Sequence, residues 1–429
     1  MQEAQQPTSI KTEAIAGLTT FLTMAYIVVV NPAILSTEGT GITFSGALTA
    51  TVLVCFTMTL FMGLYAKLPF AVAPGMGLNA FFTFTIILGQ KVPWQTALGI
   101  VFWAGVLFLI VSITPIRVTI ARAIPKNIRI GAAAGIGVFL TFIGLKNSGF
   151  IVSDPITFVK LGDLTYQSLL TIGGVLITVL LLKKKSSLAF LVGMVFVTVV
   201  ALLLGWVKKP EQLFSKPDFS SVFFKPDIWG ALKLSLLPAI ISIMFTDLFD
   251  SISTFMGVSH AAGLVDENGE PKNLQRGLIV DSFATLGAGL FGSSSGTAYI
   301  ESIAGIEMGG RTGLTSVFTA LCFLPCLFIA PLAGSVPSYA TAVVLLLVGA
   351  FMFRSVKEIS FENLEDAIPA FLTIILIPLT FSITQGILWG FVSHVALYVL
   401  AGRYKEIHPV MYALGVVSIG LLWLEHGKF

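Results

Sequence analysis

Long apolar runs separated by short polar stretches recur along the whole chain, and this feature limits its possible folds more than any other. Several runs reach the length of about 20 residues that a helix needs to cross a bilayer. Only 11% of the 429 residues are charged, whereas a water-soluble chain carries about 25%. The sequence therefore predicts an all-α polytopic membrane protein. A transmembrane β-barrel is disfavoured, because its strands would alternate instead of running continuously apolar.

The apolar runs divide into two sets of seven predicted transmembrane segments, with a polar stretch at 208–230 between the sets. Because seven is odd, the halves would enter the membrane from opposite sides, which predicts 7+7 inverted repeats. A last apolar run at 410–424 is either another span or a broken continuation of its predecessor. The 14 predicted segments lie near 14–35, 43–66, 70–88, 94–114, 121–145, 166–183 and 187–207, and near 231–257, 275–293, 296–309, 311–333, 337–354, 364–382 and 384–402.

Lys and Arg residues are distributed unevenly between the loops. With the N-terminus inside, most of the 25 Lys and Arg residues fall on inner loops, including Arg117, Arg122, Lys126 and Arg129. Cytoplasmic loops of membrane proteins carry such an excess of positive charge. We therefore expect a cytoplasmic N-terminus.

The third segment of each half is interrupted by Gly, Pro or Ser, in LPFAVAPGMGLNAFF (68–82) and FGSSSGTAYIESIAGIEMGGRTG (291–313). Backbone groups without hydrogen bonds cost several kcal/mol each in lipid, so such a break needs protein, water or a ligand to satisfy it. We predict that spans 3 and 10 each form a short extended strand followed by a half-helix, starting near Gly75 and Thr297. The two half-helix N-termini would face each other and form a binding site. The alternative is that Gly and Pro only permit tight helix packing.

Acidic residues inside membrane segments are costly and often functional. Asp247, Asp250 and Thr254 share one helical face of the eighth segment. Glu301 falls in the first turn of the second predicted half-helix, where the helix dipole favours an anion. Because neither Asp250 nor Glu301 has a basic residue nearby in its own segment to neutralise it, both are predicted to bind a ligand or carry a proton. The alternative is that both acids are protonated and only form structural hydrogen bonds with the backbone.

Two other acids are interpreted as structural. Asp281 is expected to cap or hydrogen-bond a neighbouring helix. Glu307 precedes Arg311 by one helical turn, and this spacing predicts an ion pair.

Two acids, an amide and an aromatic ring suit a flat heterocycle with N–H edges. Asn79 and Tyr299 stand at the starts of the two predicted half-helices. Carboxylates accept hydrogen bonds from N–H groups, and an amide both donates and accepts. Proteins that process nucleobases read them through edge hydrogen bonds and ring stacking.

Other classes of function are disfavoured. An inorganic anion would find no Lys or Arg in these segments, and a metal cation would find few oxygen ligands. The formal charge of +3 gives no reason to expect a nucleic-acid partner. The chain has no HExxH, Gly-x-Ser-x-Gly or GxGD motif, so we expect no enzyme and no metal site.

Three motifs carry a specific resemblance: APGMGLNAFF (73–82), DLFDSISTFMG (247–257) and GTAYIESIAGIEMGGRTGLTSV (296–317). Together they resemble the nucleobase–cation symporter-2 (nucleobase–ascorbate transporter) family, within it the hypoxanthine–adenine–guanine purine permease branch. The resemblance covers nearly the whole chain. It implies a homodimer in the inner (plasma) membrane that imports a purine nucleobase (adenine, hypoxanthine or guanine) by proton symport, with no cofactor besides protons.

The resemblance also implies a core domain that moves against a gate domain. The core would comprise residues 1–115 (spans 1–4) and 231–335 (spans 8–11). The gate would comprise residues 116–207 (spans 5–7) and 336–429 (spans 12–14), with a connector at 208–230.

The family's binding positions can be placed on this chain residue by residue. Its substrate-holding acid falls on Asp250 and its span-ten acid on Glu301, the expected proton carrier, with Asp250 as the second candidate. Uracil carriers have a His where this chain has Thr254, which disfavours uracil. Xanthine, uracil or an anion as cargo, and sodium as the coupling ion, remain the alternatives. The remaining contact positions fall on Tyr299, Gly77, Leu78 and Asn79.

Overall fold

The computed structural model describes residues 9–114, 123–265 and 271–426, so Arg117 and Arg122 lie outside the described residues. The described chain consists mainly of helices, as the sequence predicts. Within it, eight helices are long and apolar enough to cross a membrane, and shorter apolar helices include Met76–Gly89 and Ala189–Leu203. The prediction of a polytopic helical membrane protein is confirmed.

The first half contains most of the predicted segments as separate helices. Its elements are α1 (Ile10–Met24), α2 (Ile27–Leu35), α3 (Phe44–Phe61) with a π-helical end at Met62–Ala66, β1 (Val72–Pro74), α4 (Met76–Ala80) continued by a π-helix at Phe81–Gly89, α5 (Trp94–Ile113), α6 (Lys126–Asn147), β2 (Ile151–Asp154), β3 (Phe158–Leu161), α7 (Tyr166–Lys183) and α8 (Ala189–Leu203).

The second half begins after the polar connector. Its elements are α9 (Leu237–Ala262), α10 (Leu274–Phe291), β4 (Gly296–Ala298), α11 (Ser302–Glu307), α12 (Gly313–Phe323), α13 (Ala330–Gly334), α14 (Ser338–Phe353), α15 (Leu364–Thr380), α16 (Ile383–Leu400) and α17 (Pro409–His426), with short 3-10 helices at Gly230–Leu232, Leu234–Leu236, Leu324–Phe328, Arg354–Glu358 and Tyr404–Glu406. The C-terminal apolar run is therefore a helix separate from its predecessor.

Local sequence signals explain several helix ends. The hydroxyl of Ser9 caps α1 by accepting a hydrogen bond from the backbone N–H of Thr12, which is the usual role of a serine at this position. Helix α9 carries Pro238 in its first turn and ends at Gly263, whose φ of 65° suits glycine. The first predicted span is two helices, because a turn at Ala25 and Tyr26 separates α1 from α2.

The two interrupted segments pair with each other as a small antiparallel sheet. Val72 lies opposite Ala298, and Pro74 lies opposite Gly296. The hydroxyl of Thr59 adds hydrogen bonds to both the N–H and the carbonyl of Val72. Each broken segment thus provides hydrogen-bond partners for backbone groups of the other. Non-helical backbone within a membrane needs such partners, because lipid offers none.

The predicted strand and half-helix arrangement is present in both segments, with one correction. The first half-helix begins at Met76, after Gly75, as predicted. The second begins at Ser302 instead of near Thr297. The reason is that Thr297 belongs to β4 and pairs with Ala73, so the extended stretch is longer than the glycines and serines suggest.

The helices pack in two groups. In one group, α10 packs against α3 and α5, and α12 packs against α1 and α3. In the other, α14 packs against α6, α7 and α8, and α15 packs against α6 and α16. Helix α9 packs against α5 of the first group and contacts α6 and α16 of the second. It therefore lies where the two groups meet.

The polar connector is held on the ends of α3 and α5. The carboxylate of Asp218 accepts hydrogen bonds from the hydroxyls of Ser45 and Ser221, at 3.0 and 2.7 Å. Partial burial acts in the opposite direction, but the hydrogen bonds from Ser221, Ser220 and Ser45 hold the pKa of Asp218 below its usual range. The backbone N–H of Asp227 donates to the carbonyl of Gln95 at 2.8 Å.

Candidate functional site

A cavity of about 110 Å³ lies where the two broken segments meet α9. Asp250 and Glu301 both line it, together with Tyr299. The remaining walls come from the α1–α2 junction and from α14. The two acids that stood out in the sequence therefore share one small enclosure, although 50 positions of chain separate them.

The predicted polar stripe of α9 is divided between two environments. Asp250 and Thr254 face the cavity. Asp247 is fully buried and turns away, where its carboxylate accepts hydrogen bonds from the hydroxyls of Thr285 and Ser295. Asp247 thus ties α9 to α10 and to the second broken segment, which is a structural role.

Glu301 occupies the position just before α11, so it lies at the helix end and not within the first turn. Its Oε1 accepts a hydrogen bond of 2.6 Å from the hydroxyl of Tyr26. Tyr26 lies at the interruption between α1 and α2 and also lines the cavity. Sequence reasoning missed this residue, and the one available signal was a phenol within an otherwise aliphatic stretch.

Tyr299 connects the two broken segments. Its side chain is buried, and its hydroxyl donates to the carbonyl oxygen of Pro74 at 2.5 Å. The residue also borders the cavity. It therefore positions the first broken segment while contributing to the cavity wall.

The three predicted contact positions of the first half-helix are placed differently. Gly77 lines the cavity, as do Gly75 and Met76. Asn79 is fully buried and its Oδ1 accepts a hydrogen bond from the hydroxyl of Ser294, while Leu78 is buried in the core. Neither Leu78 nor Asn79 is among the residues that line the cavity, which the half-helix borders only with its N-terminal end, Gly75 to Gly77.

A second cavity, of about 40 Å³, adjoins Asp250 on the side that faces α6. Arg129 lines it, near the start of α6, and Met352 borders both cavities. In the sequence, Arg129 counts only as one of the inner-loop charges. The fold places it in the wall of a cavity that Asp250 also lines.

The two acids interpreted as structural have different outcomes. Asp281 is fully buried, and its carboxylate accepts the backbone N–H of Ala298 in strand β4 at 3.1 Å and the hydroxyl of Ser251 in the neighbouring helix α9, so the expected bond to a helix is present. The predicted Glu307–Arg311 pair is wrong. Glu307 is exposed and takes part in no ion pair within the described residues, and the guanidinium of Arg311 donates to the carbonyls of Ile306 and Gly310.

Metal ligands do not cluster in the described part of the chain. No group of three or more His, Cys, Asp or Glu residues there could hold a metal ion. The polar groups that line the cavity are carboxyls, hydroxyls and backbone groups.

Comparison with known proteins places this arrangement in context. Residues 11–388 match the permease family Xan_ur_permease. The chain is 40% identical over 418 residues to adenine permease AdeP of Escherichia coli, covering 97% of this chain and 92% of the relative. It is 39% identical over 422 residues to guanine/hypoxanthine permease PbuO of Bacillus subtilis, covering 96% and 97%. The transmembrane domain of the cyanobacterial bicarbonate transporter BicA has a similar fold, with a TM-score of 0.65, 17% identity and coverage of 89% and 97%.

Proposed function

We propose, on the premise that this chain belongs to the nucleobase–cation symporter-2 family of permeases, that it is a secondary active transporter which imports purine nucleobases together with protons. Membership of the family makes the chain a multi-pass membrane transporter and not an enzyme. The observation that supports the proposal most is the convergence of Asp250 and Glu301 on one cavity between two broken segments.

The proposed cargo is adenine, hypoxanthine or guanine. Relatives named as adenine and guanine/hypoxanthine permeases match nearly the full length of this chain. Purine N–H groups are donors that the carboxylate of Asp250 and the carbonyl oxygen of a protonated Glu301 can accept. The ring of Tyr299 and the backbone of Gly75 and Gly77 form part of the cavity wall against which a planar base could lie.

Glu301 is proposed as the proton carrier, with Asp250 as the second candidate. A carboxyl in a closed, apolar enclosure favours its neutral form, and opening the enclosure to water favours the charged form. The Tyr26 hydroxyl, 2.6 Å from Glu301, can keep the carboxylate solvated while the proton is absent. Release of the proton and of the base would then occur in the same open state.

Alternating access is proposed to occur by movement of a core domain (1–115 and 231–335) against a gate domain (116–207 and 336–429). The two packing groups of helices support this division, and the cavity lies between them because Val348 and Met352 of α14 face Asp250 of α9. A homodimer in the inner membrane with a cytoplasmic N-terminus completes the proposal.

Transport by purified protein in liposomes tests the function. We expect at least one labelled purine base to accumulate inside the liposomes when the outside is acidic, in the absence of sodium. A protonophore should abolish this accumulation. Accumulation that requires a sodium gradient would contradict the proton coupling. Uptake of uracil, xanthine or bicarbonate without any purine uptake would refute the proposed cargo.

A further inference from the structure

Arg129 and Asp250 border the same small cavity, although they lie on different helices in the two packing groups. The volume of about 40 Å³ exceeds the roughly 10–15 Å³ that a cavity needs to hold one water, so water can occupy it. Thr246 and Ser253 of α9 also line it, so its walls carry one cationic, one anionic and two hydroxyl side chains.

Two polar atoms of this second cavity lack a hydrogen-bond partner within the described structure. They are Nε of Arg129 and Oγ1 of Thr246, and Thr246 is only 5% exposed. Among the described residues, the ion pairs closer than 4.0 Å do not include Arg129. Buried polar atoms such as Nε of Arg129 are normally satisfied, and an unpaired cation that is half-buried, as Arg129 is, loses part of its hydration. The arrangement is therefore incomplete in this conformation.

We propose that Arg129 is the counter-charge of Asp250 in the empty transporter. After the base and the proton leave, the guanidinium of Arg129 binds the Asp250 carboxylate directly or through one water in the second cavity. When a base returns, its N–H groups take over the carboxylate oxygens and Arg129 withdraws from Asp250. This inference rests on the proposed function and names a positioning residue that acts through Asp250.

The physical reason is the cost of moving an uncompensated charge through a low-dielectric interface. A transporter that returns without cargo would carry the bare carboxylate of Asp250 between the two helix groups. A guanidinium from α6 neutralises that charge within the interface, and its planar donors suit a carboxylate. Because Arg129 and the base compete for the same oxygens, the arginine speeds the empty return and weakens base binding.

Because Arg129 is proposed to act only in the empty transporter, its loss should affect base exchange and net base uptake differently. Exchange of labelled for unlabelled base uses only the loaded transporter, whereas net uptake also needs the empty return. For R129Q we expect net uptake to fall roughly tenfold or more relative to exchange, with base affinity equal or tighter. For R129K, which keeps a cation, we expect most of the net uptake to return.

The matched control is K126Q, because Lys126 lies one turn earlier on the same helix and its ammonium is exposed and pairs with Glu358 at 3.4 Å. Its ratio of net uptake to exchange should equal that of the wild type. R129M, which removes the buried charge at similar volume, replaces R129Q if that variant is unstable.

Three results separate the possible failures. An unchanged ratio of net uptake to exchange in R129Q or R129M overturns the inference. An equal loss of both, without recovery in R129K, also overturns it and assigns Arg129 a structural role. A wild type that exchanges no purine base refutes the proposed function itself.

Discussion

The hydroxyl of Tyr26 lies 2.6 Å from Oε1 of Glu301 and donates a hydrogen bond to it. This contact joins the interruption of the first span to the end of the second broken segment, so two irregular parts of the backbone meet at one carboxyl. The hydroxyl of Tyr26 is the side-chain donor that the first span offers to the Glu301 carboxylate, so this hydrogen bond should stabilise the charged form of Glu301. The first predictions concern this pair.

Replacing Tyr26 with Phe should weaken purine transport while leaving the fold intact. A hydrogen bond to a charged group contributes about 1.5–3 kcal/mol, which corresponds to a loss of roughly 10- to 100-fold in transport efficiency. Initial rates of purine uptake measure this loss. The matched control is Tyr398→Phe, which removes a hydrogen bond of 2.7 Å to Asp366 away from the cavity. Equal effects of the two variants would contradict a special role for Tyr26.

Replacing Glu301 with Gln should separate binding from coupling. Glutamine keeps the size and an acceptor oxygen but cannot carry the proton. We expect accumulation driven by a pH gradient to disappear, while purine binding measured by ligand-shift melting persists. Undiminished pH-driven accumulation in Glu301→Gln would refute the assignment of the proton to this residue.

Replacing Asp250 with Ala should remove high-affinity binding of the base. Because the carboxylate lines the cavity and would accept purine N–H groups, its loss should reduce affinity roughly 10- to 100-fold. Ligand-shift melting in detergent measures the change. Asp247→Ala offers the contrast, since Asp247 bonds Thr285 and Ser295 within the protein; it should lower the melting temperature instead. Unchanged binding by Asp250→Ala would count decisively against the proposed site.

Replacing Gly77 with Ala should disturb the contact between the first half-helix and α6. A Cβ at Gly77 would overlap Cγ2 of Ile136, and overpacking of this kind costs about 1–3 kcal/mol. We expect lower melting temperature and slower uptake. The double variant Gly77→Ala with Ile136→Ala removes the clashing atom and should recover part of both. Failure of the double variant to recover either quantity would show that another property of glycine is required.

The hairpin of β2 and β3 should lose protection at low pH. Hydrogen bonds from the backbone N–H groups of Thr157 and Ile156, and then from Lys160, lower the pKa of Asp154 from 3.8 to about 2. A carboxyl with a lowered pKa in the fold stabilises it above the pKa of the unfolded chain, and this contribution disappears as the pH falls from about 4 towards 2. The protection of the Ile156 and Thr157 amides, measured as their hydrogen exchange relative to an unstructured peptide at the same pH, should therefore fall over that range.

The control for the hairpin is the variant Asp154→Asn. It should show the faster exchange already at neutral pH, and its exchange should no longer respond to protonation of a carboxyl at this position. Asp163→Asn, which changes an exposed acid just beyond β3, should behave as the wild type. A wild-type hairpin whose protection is constant down to pH 2 would contradict the role of Asp154.

Much of the architecture follows from local sequence properties. Continuous apolar runs with few charges can only be buried in a membrane as helices, and the structure has them at the predicted places. The two interrupted segments were also recognisable, because Gly, Pro and Ser in a lipid-length run require an unusual backbone. The start of the second half-helix was not, since Thr297 extends as a strand only by pairing with Ala73 of the other half.

The sequence by itself determined that this chain spans a membrane, that its backbone breaks in two matching segments, and that Asp250 and Glu301 need an explanation. Each of these conclusions depends on the free energy of placing one residue type in lipid. That free energy can be judged without knowing which other residues the fold brings into contact. Only the tertiary structure decided that Asp247 turns into the core, that Asn79 bonds Ser294, and that Tyr26 and Arg129 approach the two acids. These outcomes depend on the direction of a side chain relative to helices far away in sequence, and that direction is set by packing between elements and not by local pattern.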